Sequence, residues 1–309
     1  MPDISVIVPV YNSTATIERC IDALRKIKHP SFEVILVDDG STDATKEIIA
    51  NARGGKFRCF RKENGGPASA RNYGARRAKG EILAFTDSDC VVSSDWLKSA
   101  QKLFSDGVVG VEGRIDTDKL TTLTQSVLSH GGRYLTANMF YRKGAFMKEM
   151  FDERYKMAFR EDTDLAIRML KRGKIVYADD ARVYHAPRDV TLKALKKKQK
   201  MYYYEALFAN KNGKDADKYR TYPLAHNPAL RAGAAALALL ALPLSYFYIN
   251  LVAVPVGFMI LSDIYFACLA ASERKLRANA LYLPLAFTLP LATLYWAARG
   301  IVAFRSVRQ

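Results

Sequence analysis

The residues best suited to chemistry stand where a short apolar run, Ile82 to Phe85, breaks into Thr86, Asp87, Ser88 and Asp89. A strand buried on both faces is near-continuously apolar, so two acids at its end call for a reason. Residues two apart on an extended chain point to one side. Two carboxylates about 6 Å apart repel by about 3 kcal/mol at an effective dielectric of about 20. A divalent cation carrying a polyphosphate removes that repulsion and uses both acids. Asp-Ser-Asp is also ordinary turn chemistry, so this stretch alone leaves both readings open.

Other reactive residue types recur at strand ends. Residues 4–10 (ISVIVPV) form a β-branched run that ends at Tyr11, Asn12 and Ser13, and residues 33–37 (EVILV) end in Asp38 and Asp39. Ser13 or Thr14 is placed to cap a helix with apolar Ile17, Cys20, Ile21, Leu24 and Ile27 at helical spacing, and His29-Pro30 stops it. A helix over 44–52, a short strand over 57–61 and a helix opened by the glycine-rich stretch 64–72 complete an alternating pattern. Strand–helix alternation with short links predicts an α/β fold with a doubly wound sheet. Ligands of such sheets bind at the carboxyl ends of the strands. Three polar clusters converge on that edge.

The glycine stretch has neither a GxGxxG after the first strand nor a P-loop lysine. Its amides and Arg71 suit a phosphate; a tight helix entry with Arg71 on a solvated face is the other reading. Glu161 and Asp162 precede a helix with apolar Leu165, Ile167, Met169 and Leu170, where acids are also plain dipole partners. His185 follows an apparent strand, Ala181 to Tyr184, and Asp179 and Asp180 read as a turn before it.

The motifs VIVPVYN, VDDGSTD, NGGPASARN and FTDSD, in this order and spacing, strongly resemble the family-two glycosyltransferases of GT-A fold. The resemblance covers about residues 4–187 and extends to residues 135–146 (LTANMFYRKGAF), 151–155 (FDERY) and 160–170 (REDTDLAIRML). It implies a GT-A-type mixed sheet and an inverting sugar transfer. Asp39 would hold the base or ribose of a nucleotide-diphosphate sugar, with Pro9, Tyr11 and Asn12 lining that pocket. Arg71 would approach the donor, and Asp87 with Ser88 would contact its ribose and metal region. Asp89 would ligate Mg²⁺ or Mn²⁺, with His185 near the diphosphate and metal, and Asp162 would be the general base. Hard oxygen ligands suit both ions, and a cation stabilises the departing nucleoside diphosphate.

Charge and hydropathy divide the rest. Residues 190–231 carry ten basic against three acidic side chains, beside an apolar C-terminal stretch. Anionic lipid attracts such a segment, and no nucleic-acid motif accompanies it. Residues 190–208, with five lysines and three tyrosines, suit an amphipathic helix lying in the membrane interface. Residues 232–249 lack any charge and residues 251–271 contain only Asp263; each is long enough to cross a bilayer. Arg274, Lys275 and Arg277 supply the basic flank of a cytoplasmic side. The run 280–298, with Pro284 and Pro290, crosses or is re-entrant.

The four cysteines have no metal or disulfide spacing, and the N-terminus has no signal-peptide pattern. The expected organisation is a cytoplasmic catalytic domain over 1–189, a basic juxtamembrane segment over 190–228 and a transmembrane region over 229–309. The expected acceptor is a hydroxyl of a lipid-linked glycan or glycolipid, added to one sugar at a time, since the QxxRW signature of processive synthases is missing. A polyprenyl-phosphate glycosyltransferase is the nearest alternative. A non-catalytic polyanion-binding protein and a nucleotidyltransferase are the others.

Overall fold

A computed structural model describes residues 1–118, 124–189, 200–219, 295–296, 299–300, 302–304 and 307. It divides into two compact units: residues 1–118 with 126–187, and residues 119–125 with 188–309. The expected spans 232–249 and 251–271, most of 280–298 and residues 190–199 lie outside the described residues. No described helix is long and apolar enough to cross a membrane.

The first unit is an eight-stranded mixed sheet in the order β3-β2-β1-β4-β8-β6-β9-β5. Its parallel half comprises β1 (Ile4–Val10), β2 (Phe32–Asp38), β3 (Phe57–Arg61) and β4 (Ile82–Phe85). The crossovers are α1 (Ile17–Arg25), α2 (Thr45–Ala52) and α3 (Pro67–Arg77). Helix α1 begins after Thr16 rather than Ser13 or Thr14 and has no side-chain cap. Thr14 instead donates its hydroxyl to Asp43, 2.6 Å away.

Two apolar layers sandwich the sheet, one beneath α1 and α2 and one beneath α3. Alternation along β1 makes this division: Val6, Val8 and Val10 join the first layer, and Ile7 joins the second.

The remaining strands are β5 (Cys90–Val92), β6 (Val108–Asp116), β8 (Met139–Arg142) and β9 (Lys174–His185), with helices α4 (Trp96–Gln101), α5 (Lys143–Glu149) and α6 (Glu161–Leu170). Strand β8 runs antiparallel to both β4 and β6. The turn expected at Asp179 and Asp180 is a bulge inside β9, where the register to β6 shifts between Gly113 and Arg114. In the second unit, β7 (Thr124–Gln125) pairs with β10 (Arg188–Asp189). A 3-10 turn, Lys200–Tyr202, leads into α7 (Tyr203–Asn212) and α8 (Lys214–Lys218).

Pro9 occupies a central strand, where a missing N–H normally breaks a ladder. The backbone groups of Ile7 face β4, since Thr86 donates to the Ile7 carbonyl, and β4 pairing ends at Ile7–Phe85. Residue 9 faces the same way as residue 7, so the lost donor falls just past the last rung. Here β1 and β4 part, with Asp87 to Asp89 beginning two residues after that rung.

Candidate active site

The loops after β1 and β2 are knitted together. Asn12, in the left-handed region at φ 47°, receives the Thr42 amide on its side-chain oxygen, and its own amide donates to Ser41. Asn12 is therefore a brace between the two loops. Tyr11 beside it is 48% exposed, and Pro9 is partly buried. Ser88 joins the same network through a 2.8 Å hydroxyl contact with Ser13.

Asp39 is buried and fully occupied. Its carboxylate accepts from Lys62 (2.8 Å), the Gly65 amide (3.0 Å) and the Gly66 amide (2.8 Å). The glycine loop accordingly turns two amides onto Asp39 rather than leaving them for a phosphate. Gly66 has φ 88°, and a Cβ there would lie 2.7 Å from the Lys156 carbonyl oxygen, so the loop admits only glycine. It is a tight entry to α3, with Pro67 as first helical residue.

Arg71, on α3, is neither solvated nor open to a donor phosphate. Its Nη2 donates to Asp87 Oδ1 (2.8 Å) and its Nη1 to Glu161 Oε1 (3.0 Å), with the Arg71 and Glu161 side chains each 3% exposed. One guanidinium thereby joins the glycine-stretch helix, the acidic end of β4 and the start of α6. The fork of donors makes arginine the suitable residue.

This clamp sets the environment of Asp162. Residue 160 adopts a left-handed conformation, φ 71°, as α6 begins. Asp162 Oδ1 accepts from the Thr163 amide at 2.7 Å. The carboxylate is deep among protein atoms yet keeps part of its surface open. Burial pushes its pKa above the ordinary carboxylate range, against the Thr163 hydrogen bond and the pull of Arg71. Burial and then the Asp162 charge push Glu161 up to about 7, although Arg71 pulls it down. Among the described residues, Glu161 Oε2 and Arg71 Nε are buried without a hydrogen-bond partner.

Asp89 and His185 meet because β5 and β9 pair with Cys90 opposite His185. Asp89 Oδ2 lies 3.3 Å from His185 Nε2. His185 Nδ1 lies 3.1 Å from the Ser126 hydroxyl and 3.2 Å from the Ala186 carbonyl, which hold the ring with Nε2 toward the carboxylate. Cys90 Sγ belongs to the same group of ligand atoms, all within 4.8 Å of one another. Burial, then Asp87 and Asp89, push its thiol far up, so it stays protonated and points its weak donor at Asp89 Oδ1. The remaining oxygen and nitrogen donors fit Mg²⁺ or Mn²⁺.

Sequence reasoning missed Glu112, on β6. This buried carboxylate accepts from the amides of Gly132 (2.7 Å), Arg133 (3.1 Å) and Tyr134 (2.8 Å) and from the Ser129 hydroxyl (3.3 Å). It holds the loop leading into β8, beside the end of β4. A lone acid inside the apolar run 108–115, followed by the Gly131-Gly132 pair, was the available signal.

Glycosyltransferase AglE of Haloferax volcanii is 37% identical over 122 residues, covering 38% of this chain and 40% of that protein. Glycosyltransferase GlyG of Streptococcus pneumoniae is 37% identical over 114 residues, covering 35% and 38%. The chain thus spans less than half the length of these curated relatives. Among solved structures, S. aureus TarS 1-349 superposes with a TM-score of 0.53 at 21% identity, covering 99% of this chain and 92% of that one. The mannosyltransferase PcManGT from Pyrobaculum calidifontis, in complex with GDP-Man and Mn²⁺, gives 0.56 at 19% identity, covering 97% and 87%. These likenesses carry the fold, the GT-A-like mixed sheet expected from the motifs. The family described as Glycosyl transferase family 2 matches residues 5–169, and the chain belongs to it.

Proposed function

We propose that the chain is an inverting, divalent-cation-dependent glycosyltransferase. It moves a sugar from a nucleotide-diphosphate donor to a hydroxyl of a lipid-linked glycan or glycolipid at the cytoplasmic face of a membrane. The observation that carries this reading is the Arg71 clamp, which ties the acidic end of β4 to Glu161 and so brings Asp162 to the same edge of the sheet.

In the proposed reaction Asp162 takes the proton of the acceptor hydroxyl as its oxygen bonds to the anomeric carbon. The bond from that carbon to the donor phosphate breaks, and the nucleoside diphosphate leaves with the electron pair. A raised pKa makes Asp162 a stronger base while leaving it ionised above its titration. Asp89 and His185 would hold the cation, which neutralises charge on the leaving diphosphate. Tyr11 offers an exposed aromatic face to a nucleoside, while Asp39 and Asn12 support that pocket through the loops they fasten. The structural neighbours TarS, in complex with UDP-GlcNAc, and PcManGT, in complex with GDP-Man, are consistent with a nucleotide-diphosphate sugar donor.

Membrane attachment rests on the apolar runs 232–249 and 251–271 and their basic flanks. It keeps the active site near an acceptor confined to the bilayer. The test is release of UDP or GDP from a panel of nucleotide sugars by the full chain with Mn²⁺ and membrane lipids. No release from any donor would sink the proposal. A polyprenyl-phosphate acceptor is already an anion and needs no base, so full activity of Asp162→Asn would select that alternative.

A further inference from the structure

The second unit joins two parts of the sequence separated by the whole apolar stretch. Tyr203, at the start of α7, packs edge-on against Trp296 (6.4 Å between ring centroids) and at a tilt against Phe304 (5.0 Å). Asn210, two turns further along the same face of α7, donates to the Phe304 carbonyl at 2.9 Å. Gly300 is buried against the Tyr203 backbone, where a Cβ would lie 2.2 Å from the Tyr203 carbonyl oxygen. The approach is thus built on a glycine and on a hydrogen bond spanning 94 positions.

Around this contact lie residues of membrane-interface type. Lys200 and Arg299 both sit over the Trp296 ring, 5.5 and 5.4 Å from its centroid. Tyr295 is 57% exposed and Val302 68% exposed. Aromatic rings with cations beside them suit the head-group level of a bilayer, and the basic excess of residues 190–231 complements anionic lipid.

We propose that residues 200–212 together with Tyr295, Trp296, Arg299, Gly300 and residues 302–304 form one interfacial platform that seats on an anionic lipid surface. Both ends of the apolar stretch are thereby fixed to the same face of the membrane. The inference rests on the membrane attachment proposed above and adds to it a parity: whatever path the chain takes between residues 219 and 295, it returns to the side it left. The run 280–298 then ends on the side of α7, as a re-entrant or interfacial segment would.

Cysteine labelling of the full chain in cells tests the parity. Cys20, Cys59 and Cys90 are buried, so a Cys268→Ser background carries either Val302→Cys or, in the catalytic unit, Lys46→Cys. A membrane-impermeant maleimide is expected to spare both in intact cells and to label both once the membranes are opened. Labelling of Val302→Cys alone in intact cells would overturn the parity and leave membrane attachment standing. Recovery of the chain in the soluble fraction would instead refute the attachment itself.

The lipid contact has its own readout. In proteoliposomes containing phosphatidylglycerol, a spin label at head-group depth is expected to quench Trp296 at least twofold more than one at the bilayer centre. Trp96 is fully buried in the catalytic unit, and Trp296→Phe removes the response. Stronger quenching from the bilayer centre, or none from either depth, would overturn the platform.

Discussion

Asp39 and Asp162 both serve the carboxyl edge of one sheet, under opposite conditions. Asp39 accepts from an ammonium and two amides, which spends its charge on holding a loop. Among the described residues, Asp162 accepts from the amide and hydroxyl of Thr163. It stands next to a second buried acid, with one guanidinium shared among Glu161 and Asp87. Satisfying a carboxylate makes it a structural element, whereas crowding it with too few donors raises its basicity. The contrast separates residues that build the site from the one placed to move a proton.

Four experiments sharpen or break this contrast. The largest effect is expected from Asp162→Asn, which should lower turnover by about 10²–10⁴-fold while calorimetry shows nucleotide binding with Mn²⁺ retained. Next, Arg71→Met leaves Glu161 buried without its cation and should cost about 3–5 kcal/mol in urea unfolding. Arg71→Lys, which keeps the charge but not the fork, should cost less. A loss below about 1 kcal/mol for Arg71→Met would deny the clamp its role.

The third effect is a pH dependence. Glu161 has a folded pKa raised to about 7, so the folded state holds its proton more tightly than the unfolded chain. Its contribution to stability is fully present below the ordinary value of about 4.3 and is lost as pH rises through about 7. Turnover runs the other way, increasing as Asp162 ionises. Unfolding midpoints between pH 5 and 8 should therefore fall while rate rises, and Glu161→Gln should flatten the stability slope. The smallest effect is expected from Asp39→Asn, which keeps one acceptor oxygen for the loop. A loss of about 1–3 kcal/mol in thermal unfolding fits a loop fastener, and an unchanged melting curve with lost donor binding would return Asp39 to direct contact with the nucleotide.

Much of the parallel half was legible because β1, β2 and β4 are dominated by β-branched and other apolar residues and end in polar ones. Strand β4 and the acids after it needed no tertiary knowledge. Arg71 was readable as important but not as buried: its partners lie 16 and 90 positions away, and no local pattern encodes such a meeting. Strand β9 was foreseen only over residues 181–184, because its first half is partly exposed and is interrupted by the Asp179 bulge. The meeting of Asp89 with His185 depends on antiparallel register between β5 and β9, which sequence periodicity does not specify. The cradle around Glu112 was not legible because the amides it accepts from lie 20 to 22 positions further on, in the loop before β8.

Pro9 has a consequence for how the site meets its ligand. An ordinary residue there would present an amide hydrogen toward the widening gap, and that hydrogen would need water or another strand whenever the gap stood empty. Proline leaves nothing to satisfy. Strands β1 and β4 therefore separate past Ile7 with no backbone donor of residue 9 facing the gap. Replacement by alanine would place an N–H there, able to add a rung and extend the pairing of β1 with β4 by one residue toward Asp87.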